Sequence, residues 1–363
     1  MTPADRADGL AVDIVISNHD YGAFVGAAVE SALGQDHPGV RVVVVDDGST
    51  DDSRERLRAY AGTIDLVLQE NRGQAAALNV GLERCRGDLV IFLDADDVLR
   101  ADVAARVAAA FAADAAVARV QFRMEVIDAE GRASGATKPA PHLALPSGDL
   151  RRAELAHPFD IPWLPTSGNA FRRQSLGRIL PIPERDYPRC GADWHLIHLS
   201  TLLGPVASLE QVGAAYRVHG RNNYEPPGQR LDLSHVRETI AYAGAATQGL
   251  ERLADELGLR RPPQILSVSD LGNRLLSLRL EPDLHPRPAD SVGGLLADGV
   301  RATRRRADVS APMRLVLLAW LAAVAVAPRG LTRRLGELFL FPQRRPRFNR
   351  LLARLRRSPR GGR

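Results

Sequence analysis

The sequence predicts an α/β fold built on a mostly parallel sheet. Two observations carry this. Short apolar runs alternate with helical stretches four times in about 100 residues. Polar residues, many of them acidic, gather directly after the apolar runs, and open α/β sheets bind ligands at that edge.

Asp13–Ser17 (DIVIS) is an apolar run that ends in polar residues, as a strand does. Phe24–Leu33 has apolar residues at helical spacing. Arg41–Val45 (RVVVV) sets four β-branched valines in a row, the composition of a strand buried on both faces. Asp51–Ala61 reads as a helix with Ser49 or Thr50 as its N-cap. Asp65–Leu68 is a third strand, Gln74–Cys85 an Ala/Leu-rich helix that stops near Gly87, Leu89–Leu93 (LVIFL) a fourth strand, and Ala101–Ala113 a further helix. Lys138–Pro188 carries many prolines and glycines and reads as loops and short strands over one end of the sheet. Gly191–Leu203 reads as helix, Val206–Val218 as extended chain, and Asp232–Leu257 and Gln264–Leu280 as helices. A boundary is placed near residue 228.

Composition narrows the classes. The chain has 363 residues and is 45% apolar, enough for a sizeable core and for about two folding units. Aromatics are only 5%, too few for a wide base-stacking surface. Cys85 and Cys190 cannot build a zinc module or a disulfide framework and are read as reduced thiols of a cytoplasmic protein. No signal peptide is visible in MTPADRADGL. Lys138 is the sole lysine, which argues against Walker-type phosphate binding and Schiff-base chemistry. The first apolar run is followed by Ser17-Asn18-His19-Asp20-Tyr21-Gly22 rather than G-x-G-x-x-G, so a dinucleotide fold is not expected.

Two acidic clusters end strands: Asp46-Asp47-Gly48-Ser49-Thr50-Asp51 and Asp94-Ala95-Asp96-Asp97. Burying carboxylates beside apolar strands is costly unless something binds them. Two carboxylates aimed into one cleft suit a hard divalent cation that also holds phosphate oxygens. Asp51 and Asp52 fit helix capping equally well, and Asp97 reads either as a cap or as part of the cluster.

The ordered series SNHDYGAFVGAAVESALGQ, VVVVDDGSTDDS, ENRGQAAALNVGL and GDLVIFLDADD resembles the family-two glycosyltransferases. The likeness is close over about residues 11–130. It is looser through PTSGNAFRR (Pro165–Arg173), GADWHL (Gly191–Leu196) and YRVHGRNN (Tyr216–Asn223). It implies a GT-A fold: a Rossmann-like, mostly parallel sheet with helices on both faces, followed by an α-helical C-terminal region. With the boundary near residue 228, the chain is read as a catalytic domain over 1–228, with a nucleotide-binding half (11–130) and an acceptor-side half (131–228), then a helical region (229–310), then an apolar helix with an Arg-rich tail (311–363).

The resemblance also implies site residues. Asp47 holds the nucleotide base, and Ser17, Asn18 and His19 line the same pocket. Gly73 and Gln74 open a helix whose backbone N–H groups face phosphate or ribose, although Gly73 also fits a simple turn. Asp94 touches ribose or metal, and Asp96 is the main ligand of Mn²⁺ or Mg²⁺. His219 is either a third metal or diphosphate ligand or a structural residue, and Arg217 and Arg221 either meet phosphate or lie at the surface. Asp193 takes the acceptor proton in an inverting, in-line transfer; Trp194 stacks on a sugar or packs against the sheet. The chain departs from the family pattern at His19 and Asp20, where relatives often carry Tyr and Asn, and at Ala192, where a Glu often precedes the Asp. The partners implied are a nucleotide-diphosphate sugar donor and a glycan or lipid-linked acceptor. The Gln-x-x-Arg-Trp motif of processive synthases is absent, so one sugar per encounter is expected.

Charge is split along the chain. Residues 301–363 hold 17 basic and 2 acidic side chains, a net of +15, whereas residues 1–300 sum to −10. Leu315–Ala327 is an unbroken apolar run of thirteen residues, about 20 Å of helix, short of the roughly 20 residues that span a bilayer. It reads as a core helix or an interfacial one. The arginines after it, with LFLF at Leu338–Phe341 and Leu351, Leu352 and Leu355, suit an anionic membrane surface, which would hold the protein at the inner face of the cell membrane. No nucleic-acid reader module is visible. Two readings compete with sugar transfer: a decayed carbohydrate-binding or scaffold protein, and an Asp-x-Asp phosphatase. The latter places its motif after the first strand, not the fourth.

Overall fold

The structure is a computed structural model and describes residues 9–222 and 230–341. The chain divides into two compact units, one within residues 1–151 and 162–219, the other within 152–161 and 220–363.

The first unit is built on a nine-stranded sheet. In chain order the strands are β1 (Val12–Asn18), β2 (Val40–Asp47), β3 (Asp65–Gln69), β4 (Leu89–Asp94), β5 (Val98–Leu99), β6 (Arg119–Ile127), β7 (Ala133–Lys138), β8 (Asn169–Arg172) and β9 (Val206–Arg217). They lie side by side as β3-β2-β1-β4-β8-β6-β9-β5, with β7 on β6. The β3-β2-β1-β4 half is parallel. Beyond it the sheet is mixed: β8 runs antiparallel to β4 and β6, β7 to β6, and β5 to β9, while β6 and β9 are parallel. The expectation of a mostly parallel sheet therefore describes the first half, where helices provide the crossovers. Short turns such as the one joining β6 to β7 allow only antiparallel pairing.

Helices α1 (Gly22–Leu33), α2 (Ser53–Arg58), α3 (Gln74–Arg84), α4 (Val103–Ala113) and α5 (Ala192–Leu203) belong to this unit. Alternate strand residues face opposite sides. Ile14, Ile16, Val42, Val44 and Ile91 meet Val25, Val29, Leu57 and Val107 from α1, α2 and α4 in one core. The intervening Val15 and Val45 approach Gly81 of α3 from the other side. Both faces are covered, and the four consecutive valines Val42–Val45 of β2 are each at most 4% exposed. The predicted Asp51–Ala61 helix is shorter. Its first N–H groups are not capped by Ser49 or Thr50: Asp51 Oδ1 accepts from Ser53 N at 2.9 Å, while Thr50 N donates to Asp20 Oδ1 at 2.6 Å. Cys85 and Cys190 are buried cysteines in no disulfide.

In the second unit lie α6 (Leu233–Glu256), α7 (Val268–Leu280), α8 (Val292–Arg305), α9 (Ala311–Val326) and α10 (Arg329–Leu340). Leu271, Leu275, Leu276, Leu295, Ala302, Leu321 and Val324 form its core. Gly272 of α7 admits Trp320 of α9 at close range; a Cβ there would sit 2.8 Å from the indole ring. Asp232 caps α6 through Ser234 N, Ser291 caps α8 through Gly294 N, and Ser310 caps α9 through Met313 N. The apolar run Leu315–Ala327 falls on α9, with one side in this core. Among the described residues no helix is long and apolar enough to cross a membrane. Leu351, Leu352 and Leu355 lie outside the described residues.

Candidate active site

The parallel register sets the site. Ser17 pairs with Val45 on one side and Asp94 on the other, and Asn18 pairs with Asp46, so both acidic clusters emerge at one sheet edge.

Asp46 is fully buried and acts as scaffold. It accepts from Asn18 Nδ2 (2.9 Å), Ser49 N (3.1 Å) and Arg54 Nε (2.7 Å). Burial alone would raise its pKa, but these bonds outweigh it and hold the carboxyl below its usual value. Asp47 organises the loop before α3. Its Oδ1 accepts from Gln69 Nε2 (2.7 Å) and Arg72 N (2.9 Å), and its Oδ2 from Gly73 N (2.8 Å). His19 is exposed; its Nδ1 lies 2.8 Å from the Asp47 carbonyl and its Nε2 3.1 Å from Asn71 Nδ2. Ser17, Asn18, His19, Asp47 and Gly73 thus share one corner of the edge, although the Asp47 carboxylate already serves three N–H donors of the protein.

Gly73 is required here on two counts. Its φ is +89°, and a Cβ would lie 2.2 Å from the Pro188 carbonyl oxygen. That close approach brings the start of α3 to the segment leading into α5. Gln74 N donates to Arg189 O at 3.0 Å. The Gln74 side chain then joins two parts of the site: Nε2 donates to Asp94 Oδ1 at 3.3 Å, and Oε1 accepts from Ala192 N at 3.2 Å. The resemblance turned the backbone N–H groups of Gly73 and Gln74 toward phosphate or ribose; here they donate to Asp47 Oδ2 and Arg189 O, and the Gln74 side chain is engaged with protein groups on both ends.

Asp94, Asp96 and Asp97 follow β4. Burial, then the charges of Asp96 and Asp193, push Asp94 up to about 8. Asp94 N donates to Ser167 Oγ at 3.0 Å. Asp96 Oδ2 lies 2.9 Å from His219 Nε2. His219 is held by rings: Phe24 stacks on it at 4.6 Å and Tyr21 meets it edge-on at 5.5 Å. Asp97 is not a helix cap, since α4 begins at Val103. It is 1% exposed, its Oδ1 accepts from Arg217 N at 2.9 Å, and its Oδ2 has no hydrogen-bond partner among the described residues. Burial, then Asp96 and Asp94, hold it well above the usual carboxylate range. Arg217 does not face outward to meet phosphate. It is 6% exposed, and its guanidinium donates to the carbonyls of Asp96 (2.8 Å) and Ala129 (3.1 Å).

On the other side of Gln74, Asp193 stands in the first turn of α5, which begins after Gly191 in a left-handed conformation. Asp193 Oδ1 accepts from Trp194 N at 3.0 Å. Burial is the main reason its carboxyl is pushed up to about 6. Trp194 and Trp163 both pack against His198, at 5.5 and 5.9 Å between ring centres.

Among the described residues no three His, Cys, Asp or Glu side chains converge as a ready metal cage. The sequence-predicted trio divides: Asp96 and His219 are paired, and Asp94 stands beside them against Gln74. Two carboxylates and an imidazole still suit Mn²⁺ or Mg²⁺, which also take oxygens from phosphate and water. Three carboxylates crowded at a strand end, one with an orphaned buried oxygen, leave negative charge that a cation would neutralise. Sequence reasoning assigned no role to Thr166 or Ser167. They lie in the run PTSGNAFRR: Ser167 Oγ accepts from Asp94 N, and Thr166 beside Asp94 and Ser167 beside Asp97 each draw the carboxyl's pKa part of the way back down.

A family model described as glycosyl transferase family 2 matches residues 13–180. The uncharacterized glycosyltransferase alr2836 of Nostoc sp. is 34% identical over 220 residues, covering 59% of this chain and 67% of that protein. The succinoglycan biosynthesis protein ExoO of Rhizobium meliloti is 29% identical over 267 residues, covering 69% and 72%. Among solved structures, residues 1–349 of S. aureus TarS in complex with UDP-GlcNAc superpose with a TM-score of 0.52 at 17% identity, over 91% of each chain. That last likeness is one of fold.

Proposed function

The chain belongs to glycosyl transferase family 2 and is a glycosyltransferase of GT-A fold, and from that premise we propose that it moves a sugar from a nucleotide-diphosphate donor to an acceptor hydroxyl with inversion. It adds one sugar per encounter in the synthesis of a cell-surface glycan or polysaccharide, as the kinship with a succinoglycan biosynthesis protein supports. A UDP-sugar is the donor class to try first, because TarS, of like fold, was solved with UDP-GlcNAc. The acceptor is a glycan or a lipid-linked sugar, and the basic segment from Arg301 onward draws the enzyme to an anionic membrane face.

The observation that carries the reading is the span between Asp94 and Asp193. Gln74 bonds Asp94 on one side and the first amide of α5 on the other, and the Asp193 charge is near enough to raise the Asp94 pKa. Gln74 and that charge effect tie the proposed donor-side carboxylate to the proposed acceptor-side one. Ser17, Asn18, His19, Asp47 and Gly73 form the corner for base and ribose. Asp94, Asp96 and His219 would hold Mn²⁺ or Mg²⁺, which when bound neutralises charge on the departing diphosphate. Asp193 is the base. A carboxyl raised to about 6 is ionised at neutral pH yet more basic than an ordinary Asp, which suits it to accept the acceptor hydroxyl's proton as that oxygen attacks the anomeric carbon from the side opposite the diphosphate. Ala192, where relatives often carry Glu, leaves Asp193 to act without that neighbouring carboxylate. A decayed sugar-binding protein would bind nucleotide sugars without turning them over. Metal-dependent release of nucleoside diphosphate from a panel of nucleotide sugars tests the proposal, and binding without release would favour the decayed reading.

A further inference from the structure

From Leu315 onward helix α9 is apolar on every side, and only one side is covered. Met313, Leu321, Val324 and Ala325 are buried, with Leu317 and Trp320 packed beside them. The opposite side presents Leu315, Ala319, Ala322 and Val326, all exposed. Leu315 is 68% exposed and Val326 79%. Their spacing is i, i+4, i+7 and i+11, one continuous stripe along a helix. In α10, Leu331 and Leu338 are 50% and 41% exposed and again seven residues apart. A helix apolar all round normally lies within a core, and an exposed apolar face of this extent marks an interaction surface.

The surrounding charge identifies the occupant. Between Asp308 and Glu337 the sequence holds Arg314, Arg329, Arg333 and Arg334 and no acidic residue. Arg329, Arg333 and Arg334 are exposed. Arg329 and Arg333 donate to the carbonyls of Leu280 and Leu231, and Glu337 is the one acid on α10, so the arginines outnumber it; apolar side chains flanked by such exposed arginines complement an anionic lipid surface, with acyl chains beneath and phosphates beside. The sixteen residues of α9 make about 24 Å of helix, less than the ~30 Å hydrocarbon core, so the helix lies along a bilayer rather than through it. Trp320 is not a membrane anchor: it stacks on Phe339 at 4.1 Å, and its indole N–H donates to Leu335 O. The contact is therefore aliphatic.

We infer that the Leu315–Ala319–Ala322–Val326 face of α9 inserts into the interface of an anionic membrane, with the arginines of α10 on the headgroups. This deepens the membrane reading given above and rests on it for the sign of the lipid charge; it needs none of the catalytic assignments.

The test is sedimentation of the full chain with phosphatidylglycerol/phosphatidylcholine vesicles and with pure phosphatidylcholine vesicles, at low and high salt. The expected result is binding to the anionic vesicles, part of which persists in high salt. Leu315→Glu/Val326→Glu should weaken binding by about tenfold or more and remove the salt-resistant part. Both sites are mostly exposed, so an unchanged melting midpoint serves as the folding control. Leu315→Ser/Val326→Ser is the second pair should the glutamates perturb the fold. Binding that high salt abolishes entirely and that neither pair weakens would overturn the inference while leaving attraction by the arginine tail standing. No binding to either vesicle would overturn both. A dimer that the paired substitutions convert to monomer would assign the face to a second copy of the chain and overturn the lipid assignment.

Discussion

Asp96 and His219 are 123 residues apart in sequence, and their Oδ2 and Nε2 atoms lie 2.9 Å apart at the end of β4. Both are nearly buried, at 12% and 2% side-chain exposure, and Phe24 stacks on the imidazole. The pair is fixed from both sides before any ligand arrives. Asp96→Ala should leave the melting midpoint nearly unchanged and abolish Mn²⁺-dependent donor binding, a loss of several kcal/mol of transition-state stabilisation. Titration of a nucleotide sugar with and without Mn²⁺ checks this. Near-normal turnover by the variant, or equal wild-type activity in chelator, would remove Asp96 from the site.

As the proposed base, Asp193 should set the acid limb of the pH profile. Its raised value means that the ionised, basic form is lost as pH falls through about 6. The rate should decline below that point and level off above it. Asp193→Asn should reduce turnover by roughly 10²–10⁴, erase the limb and leave donor affinity nearly unchanged. Equal losses of donor binding and rate would make Asp193 a donor-site or structural residue.

The Asp47 carboxylate serves three N–H donors at 2.7–2.9 Å. Asp47→Asn puts an amide N–H₂ where one of those oxygens accepts, so at least one donor loses its partner. The expected cost is about 1–3 kcal/mol, seen as a lower denaturation midpoint, together with weaker nucleotide binding. A variant of unchanged stability would show that the loop does not depend on this carboxylate.

Gly73→Ala is expected to be worse than its size suggests. The residue has φ +89°, and the added methyl would meet a backbone carbonyl rather than a movable side chain. Strain of about 1–3 kcal/mol is expected, with the Gln74 bridge to Ala192 disturbed. A thermal melt and a nucleotide titration on one sample check both effects; wild-type behaviour in both would contradict the close approach.

The parallel half of the fold is legible because its cause is local. Four valines in β2, LVIFL in β4 and alanine-rich helices between them leave few alternatives, and once the strands are parallel the acidic clusters must meet at one edge. Asp46 and Asp97 are harder to read. Their neighbours, Arg54 and Arg217, are brought to them by the fold, and a string of aspartates does not say which one faces inward. Thr166 and Ser167 depend on β8 running antiparallel to β4, and the serine that receives Asp94 N is 73 residues away. Arg217, flanking His219, reads as either a phosphate contact or a surface charge; it is neither, because β9 ends at Arg217 with its guanidinium on the carbonyls of Asp96 and Ala129, while His219, beyond the strand, reaches the Asp96 carboxylate. On α9, thirteen apolar residues admit either a core or an interface reading from sequence, and the structure assigns one side of the helix to the core.

In the proposed reaction a donor held at Asp94, Asp96 and His219 is opened by an acceptor whose proton goes to Asp193. The most direct measurement is the rate of nucleoside diphosphate release from a panel of UDP- and GDP-sugars with Mn²⁺, comparing wild type, Asp96→Ala and Asp193→Asn. Wild type should release nucleoside diphosphate in a metal-dependent way, Asp96→Ala should lose both donor binding and release, and Asp193→Asn should keep binding with little release. Release that ignores chelator, or an Asp193→Asn variant that turns over at the wild-type rate, would contradict it.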